Sequence, residues 1–273
     1  MLKPSKLIWK GKTKMNRLEK ALHNVKLGHE KAFVPYIMAG DGGLEVLENR
    51  IRFLEACGAT AIEIGIPFSD PVADGPVIQQ AGIRALKAGT TVKKIIETIE
   101  SFRAKVEIPL IFMTYMNPIL AYGKEAFIAD CKKVGIDGLI LPDLPIEEEE
   151  TLAPLAEAAG IEIIRLVTLN SSDERIKTIS TKGRGFLYAV TINGITGARQ
   201  GFHEELHKHL QRVKDISPLP VFAGFGISTP DHIKEMTQFC DGVIVGSKIV
   251  ELFEQNDETK INELIRTAKS VSV

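Results

Sequence analysis

Short apolar, β-prone runs alternate eight times with longer amphipathic runs along the chain, which predicts a mostly parallel sheet with helices on its faces. Two further observations narrow this α/β class to a single (β/α)8 TIM barrel, with its active site at the C-terminal face of the parallel strands. The 273 residues suit eight strand–helix units, which typically occupy about 250 residues. The chain also lacks the early GxGxxG turn usual in a doubly wound open sheet, the alternative fold; Gly40-Asp41-Gly42-Gly43 does not fit it. No Pro- or Ser-rich linker divides the sequence, so it reads as one barrel domain over residues 15–273 behind a basic tail over residues 1–14, expected to be disordered.

The elements follow in order. Phe33–Met38 is the first apolar run and reads as the first strand; Leu44–Ala56 behind it has the mixed apolar and charged pattern of a surface helix. Ala61–Ile66 alternates with period two and gives the second strand. Val92–Lys105 is helical, Leu110–Tyr115 is the third strand and Lys124–Val134 its helix. Gly138–Leu141 and Ile163–Val167 are the fourth and fifth strands, followed by helical patterns at Glu147–Ala159 and Asp173–Thr181. Gly185–Val190, Val221–Ala223 and Val243–Val245 complete the eight, with helices at Glu204–Val213, Pro230–Phe239 and Thr259–Val271.

Composition narrows the partners. With 44% apolar and 25% charged residues the chain is an ordinary globular protein rather than a disordered or collagen-like one. A formal net charge of −1 gives no basic surface for nucleic acid. No run of about 18 apolar residues could span a membrane, and the lysine-rich start has no apolar segment behind it to make a secretory signal. Cys57, Cys131 and Cys240 are far apart and odd in number, which suits reduced thiols in the cytoplasm. Without a secretory signal, the glycosylation pattern at Asn170-Ser171-Ser172 carries no weight.

The second strand carries the chemistry. Ile62, Ile64 and Ile66 share one face and suit the sheet–helix interface, so Glu63 and Gly65 face the barrel interior. A carboxylate there is costly unless paired, hydrogen-bonded or protonated, and burial raises its pKa toward the range of general acid–base work. The plain alternative is a Glu paired with an interior Arg or Lys, but few such residues appear in the other strands. The loop that follows presents Asp74 eleven residues after Glu63, so two carboxylates can surround one ligand.

Small residues follow the sixth, seventh and eighth strands at Asn193–Gly197, Gly224–Ser228 and Gly246-Ser247. Such turns let backbone N–H groups approach an anion, and barrels often hold phosphate at this edge. Any one of them could be a plain tight turn; three converging on one edge favour a phosphate site. Thr191–Gly201 is long, Gly-rich and bears Arg199, as lids over substrate often do. His203-Glu204-Glu205-Leu206-His207 fits the zinc-protease pattern HExxH, with histidines at i and i+4. No third ligand follows in suitable context, so it reads as the start of a solvated outer helix. Glu147–Glu150 reads as acids at a helix N-terminus.

The run IEIGIPFSDPVADGP at 62–76 is similar to the signature of tryptophan synthase α subunits. FVPYIMAGD, MTYMNP, LILPDLPIEE, FLYAVTINGITGAR, VFAGFGIS and GVIVGS resemble that family's segments in the same order, from Met15 to the C-terminus. The resemblance implies a (β/α)8 barrel that cleaves indole-3-glycerol phosphate to indole and glyceraldehyde 3-phosphate by a retro-aldol step. It implies that Glu63 shuttles protons, that Asp74 accepts the indole N–H and stabilises developing positive charge, and that Tyr188 supports them. Gly197, Gly226, Gly246 and Ser247 correspond to phosphate contacts. Tyr36, Met113, Ile140 and Phe225 correspond to the indole pocket, and Thr196 to the lid threonine that meets Asp74.

It further implies a β-subunit partner in an αββα assembly, facing the loop around Asp70 and Pro71 and receiving indole through a tunnel. No cofactor or metal is expected in this chain, pyridoxal phosphate being confined to that partner. Two departures stand out: Gly42-Gly43, where the family more often has Pro after the Gly-Asp pair, predicts a looser first loop, and Tyr36 replaces a common Phe. The rival readings are a stand-alone indole-3-glycerol-phosphate lyase, another phosphosugar aldolase or isomerase barrel, a silent activator of a β subunit, and the HExxH protease.

Overall fold

The structure is a computed structural model that describes residues 15–191, 200–224 and 226–271, with backbone alone at 200–203. Its strands are β1 (Ala32–Met38), β2 (Ile62–Gly65), β3 (Leu110–Met113), β4 (Gly138–Ile140), β5 (Glu162–Ile164), β6 (Leu166–Thr168), β7 (Leu187–Val190), β8 (Val221–Gly224) and β9 (Gly242–Val245). Its α-helices are α1 (Arg17–Leu27), α2 (Leu47–Cys57), α3 (Pro76–Lys87), α4 (Val92–Phe102), α5 (Met116–Tyr122) and α6 (Lys124–Val134). The remainder are α7 (Ala153–Ala159), α8 (Asp173–Lys182), α9 (Gln200–Ile216), α10 (Pro230–Met236), α11 (Ser247–Glu254) and α12 (Glu258–Ser270).

The described strands form one sheet in the order β5-β4-β3-β2-β1-β9-β8-β7-β6, with every pairing parallel. Its two ends are one strand. Ile163–Val167, expected as a single strand, is interrupted at Arg165: β5 pairs with β4, and β6 immediately after it pairs with β7. The Arg165 carbonyl accepts from the Tyr188 N–H at 2.9 Å, so the ladder closes into a barrel. The Arg165 side chain is anchored at this point. It lies nearly buried in a fork-to-fork pair with Glu149, Nη2 to Oε2 at 2.7 Å. Glu149 is therefore a structural anchor, not one more solvated acid at a helix start.

Two apolar cores follow from the strand alternation. Ile62, Ile64 and Ile66 pack outward with Leu110, Phe112, Leu139 and the inner faces of the helices. Tyr36, Met38, Ile111, Met113, Ile140, Tyr188, Phe222 and Ile244 fill the barrel itself. The N-terminal end is plugged by α1, which apolar periodicity does not single out. Asn16 and Glu19 form a reciprocal capping box that starts it, and Leu18 enters the interior core. Arg17 ties the helix to the buried Asp137, which also pairs with Arg103. Of the other helices not expected from sequence, α3, α5 and α11 each begin just beyond a strand or its loop and place the mouth of the barrel.

The first loop is not loose. Gly42 and Gly43 take φ of +82° and +99°, a turn that other residues resist. Asp41 beside them is gripped by the Arg84 guanidinium at 2.7 and 2.9 Å, while Arg50 donates to its carbonyl at 2.6 Å. These charged clips replace whatever stiffness a proline would supply. Among the described residues no helix is long and apolar enough to cross a membrane.

Candidate active site

Strands β1, β2 and β7, with the segments that follow β2 and β3, bring five ionisable side chains to one mouth. Glu63, from the middle of β2, faces inward as its alternation dictates and is 3% exposed. Its Oε2 is buried without a hydrogen-bond partner, and no cation approaches it among the described residues. Burial, and secondarily the charge of Asp74, push its pKa up to about 8. Asp74 reaches the same space from the loop ahead of α3. Burial lifts it to about 6, moderated by hydrogen bonding with the Tyr115 hydroxyl. Two carboxyls of unequal pKa thus sit side by side, one protonated and one largely ionised near neutrality.

Tyr188 on β7 is 7% exposed, and its phenol is pushed up by burial and then by Glu63 and Asp74. Its hydroxyl lies over Gly224, where an added Cβ would stand 2.4 Å away. Tyr36 on β1 is placed in the same manner: its hydroxyl occupies the space beside Gly65, 1.9 Å from where a Cβ would be. Each tyrosine fits because the neighbouring strand has a glycine at the position facing the ring.

Tyr115 is a site residue that the sequence motifs do not single out. It accepts from the Ala73 N–H at 3.1 Å, interacts with the Asp74 carboxyl, and packs on Phe68 with ring centroids 5.5 Å apart. It therefore holds the second loop in place over the mouth. A signal for it exists: Ile111 and Met113 face inward, and the same period of two carries Tyr115 inward after the strand has ended.

The expected apolar slot is partly on view. Tyr36, Met113 and Ile140 belong to one interior cluster with Tyr188 and Phe222. Phe225, Thr196 and Gly197 lie outside the described residues. On the edge where phosphate is expected, Gly246 caps α11, whose first residue, Ser247, is exposed. The first N–H groups of a helix have no partner inside it and attract an anion. Gly226, two residues after β8, is exposed, with φ of +77°. Thr191, at the start of the long sixth loop, is bound to the Gly224 carbonyl through its hydroxyl at 2.7 Å. In the second loop Asp70 is exposed and accepts from the Ser69 hydroxyl; Pro71 is half-buried and Val72 is 84% exposed.

The HExxH helix is otherwise employed. His207 pairs with Glu235 at 3.0 Å and stacks on Phe239 at 4.2 Å between centroids, and the His203 side chain lies outside the described residues. Among the described residues no cluster of three His, Cys, Asp or Glu side chains could hold a metal.

Comparison with known proteins agrees with this geometry. Residues 22–272 match the family model for the tryptophan synthase alpha chain. A tryptophan synthase alpha chain of Bacillus anthracis is 54% identical over 255 residues, covering 93% of this chain and 97% of that one. One of Bacillus cereus matches to the same extent. Among solved structures, tryptophan synthase subunit alpha of Legionella pneumophila is 33% identical with a TM-score of 0.86, covering 94% of this chain and 100% of that one. A tryptophan synthase chain of Mycobacterium tuberculosis is 30% identical with a TM-score of 0.85, with the same coverage.

Proposed function

The chain belongs to the tryptophan synthase alpha chain family, and from that premise we propose how its own residues perform the family's reaction. The chain is a carbon–carbon lyase that cleaves indole-3-glycerol phosphate to indole and glyceraldehyde 3-phosphate in tryptophan biosynthesis. Indole leaves poorly until its C3 is protonated. The observation that carries the reading is Glu63, wholly buried, uncharged at neutral pH, and beside an acid that ionises earlier. Protonated Glu63 delivers its proton to C3. The carboxylate so formed takes the proton of the glyceryl hydroxyl next to the breaking bond, which becomes the aldehyde, and Glu63 is restored.

Ionised Asp74 accepts the indole N–H and stabilises the positive charge that spreads into the ring. Tyr115 fixes Asp74, and Tyr188 borders the reacting centre. Tyr36, Met113, Ile140 and Phe225 enclose the indole. Gly197, Gly226, Gly246 and Ser247 receive the phosphate through backbone N–H groups and the start of α11, and Thr196 closes the sixth loop toward Asp74. Residues 15–273 form one catalytic domain; the basic start at residues 1–14 lies outside the described residues.

The partner is a β subunit in an αββα assembly, seated on the loop of Asp70 and Pro71 and taking up indole. The exposed apolar Val72 in that loop supports such a seat. Pyridoxal phosphate belongs to the partner, and this chain works through acid–base side chains alone. Three free cysteines suit the reducing cytoplasm.

Indole release from indole-3-glycerol phosphate, measured with and without a β subunit, tests the reading. Slow release that the partner accelerates is expected; fast release unaffected by the partner would instead favour a stand-alone lyase. Asp74→Asn should lower kcat/KM by about 10²-fold or more and remove the acid-side limb of its pH profile. An Asp74→Asn variant with the wild-type profile would overturn the role given to Asp74.

A further inference from the structure

Tyr36 presents a buried donor with a poor acceptor. The residue is 4% exposed, and among the described residues the one hydrogen-bond partner of its hydroxyl is the Met38 thioether at 3.9 Å. Thioether sulfur is a weak acceptor. The side chain leaves β1 beside Gly246, whose Cβ position would lie 3.7 Å from Tyr36 Cβ, and ends beside Gly65. It therefore crosses from the phosphate edge to the strand that carries Glu63. Tyr36 and Glu63 are register partners across β1 and β2, and both face the interior. Glu63 shows the complementary deficit, since its Oε2 is buried and unpaired.

The two deficits differ in cost. A protonated carboxyl tolerates a missing partner far better than a buried carboxylate, whose uncompensated charge is severely penalised. Among the described residues the groups set against Glu63 are few: Tyr36 from β1, Asp74 from the loop after β2 and Tyr188 from β7, while Tyr115 beyond β3 is set against Asp74 and Tyr36. Asp74 opposes ionisation of Glu63. Tyr115 is engaged by Ala73 and Asp74. Tyr36 and Tyr188 remain, both phenols held firmly protonated by burial and by both carboxyls; Tyr36 is the one whose hydroxyl is held by a weak thioether acceptor that is readily given up, and so the donor able to turn to Glu63.

We propose that Tyr36 is a positioning residue for Glu63, its hydroxyl leaving the Met38 sulfur to donate to the Glu63 carboxylate each time Glu63 gives up its proton. The bond holds the carboxylate in place for the proton it takes next. The role rests on the reading of Glu63 as the proton shuttle, but its physical core, a hydrogen bond made only to ionised Glu63, exists without substrate.

The experiment is a pH titration of Glu63 by 13C NMR in the ligand-free chain, with glutamate carboxyls labelled and the signal assigned by its loss in Glu63→Gln. Tyr36→Phe should raise the Glu63 pKa by about one unit, a tenfold change in its ionisation constant. The base-side limb of kcat/KM should move up with it. Met38→Leu removes the competing sulfur and should move the pKa the other way. A Glu63 pKa unmoved by Tyr36→Phe overturns the proposal, whatever happens to activity. A raised KM without a moved pKa also overturns it, making Tyr36 a substrate contact only. Normal turnover by Glu63→Gln would instead sink the shuttle reading, while the titration still decides the pairing.

Discussion

Glu63→Gln is expected to lower kcat/KM for indole release by about 10³-fold or more, with the fold intact. One general acid–base group is typically worth about 10²- to 10⁴-fold, and here the same carboxyl acts twice, first as acid and then as base. Gln keeps the size of the side chain and a hydrogen-bonding head but can neither give nor take the proton. The wild-type pH profile should be bell-shaped. Activity falls below the Asp74 pKa of about 6, where the acceptor for the indole N–H is neutralised, and above the Glu63 pKa of about 8, where the acid has lost its proton. The two carboxyls interact, so the limbs belong to the pair. Steady-state rates from pH 5 to 9.5 check this; a Glu63→Gln enzyme within tenfold of wild type would overturn it.

Stability should move the opposite way. Folding raises the Glu63 pKa from 4.5 to about 8, so the folded chain holds this proton more tightly than the unfolded one. The resulting stabilisation is complete below the unfolded value of 4.5, declines as pH rises between the two, and is gone above 8. At about 1.4 kcal/mol per pKa unit, the ceiling is about 5 kcal/mol. Gln has no proton to lose. Urea denaturation should therefore find the variant gaining on wild type as pH rises from 5 to 9, and parallel curves for the two proteins would refute the burial cost assigned to Glu63.

Much of this is legible in the sequence because strand alternation carries over to chemistry. Ile62, Ile64 and Ile66 declare an outward face, and that alone turns Glu63 and Gly65 inward. The eight strand runs hold because parallel barrel strands, covered on both faces, are short and continuously apolar. What escapes such reading is set by tertiary contact. The Arg165–Glu149 pair forms only in the folded barrel. The clamp on the first loop depends on Arg50 from the next helix and on Arg84, far from Asp41 in sequence, so two glycines read as slack where the fold supplies charged clips. Helices α1, α3, α5 and α11 escape because the alternation allots one helix to each strand: α1 precedes β1, and α3, α5 and α11 each come ahead of a second helix following the same strand. Tyr115 escapes although it ends the run read as the third strand, because its partners, the Ala73 N–H and the Asp74 carboxyl, come from another loop and meet it only in the folded barrel.

The glycines opposite the tyrosines carry the second large effect. Gly65→Ala would place a methyl carbon 1.9 Å from the Tyr36 hydroxyl oxygen and 2.5 Å from Tyr36 Cζ. Both lie within the tightly filled barrel, so the ring has to swing or β2 has to shift. Overpacking of this kind costs about 1–3 kcal/mol. Either movement also disturbs Glu63, two residues away on the same strand, and a displacement of about 1 Å at a reacting group can cost about 10²-fold in rate. Gly65→Ala should therefore lose stability and activity together. The cause is a conflict over one space, so Tyr36→Leu, which removes the ring, should return most of the lost stability when combined with it. A double-mutant cycle then gives a stabilising coupling between the two positions. Activity should stay low, since the hydroxyl assigned to Glu63 is gone. Gly75→Ala, where an added Cβ meets nothing within 4 Å, is the packing control. Equal denaturation midpoints for Gly65→Ala and wild type would mean that the barrel yields easily at this point, and that Gly65 is not what makes room for Tyr36 beside Glu63.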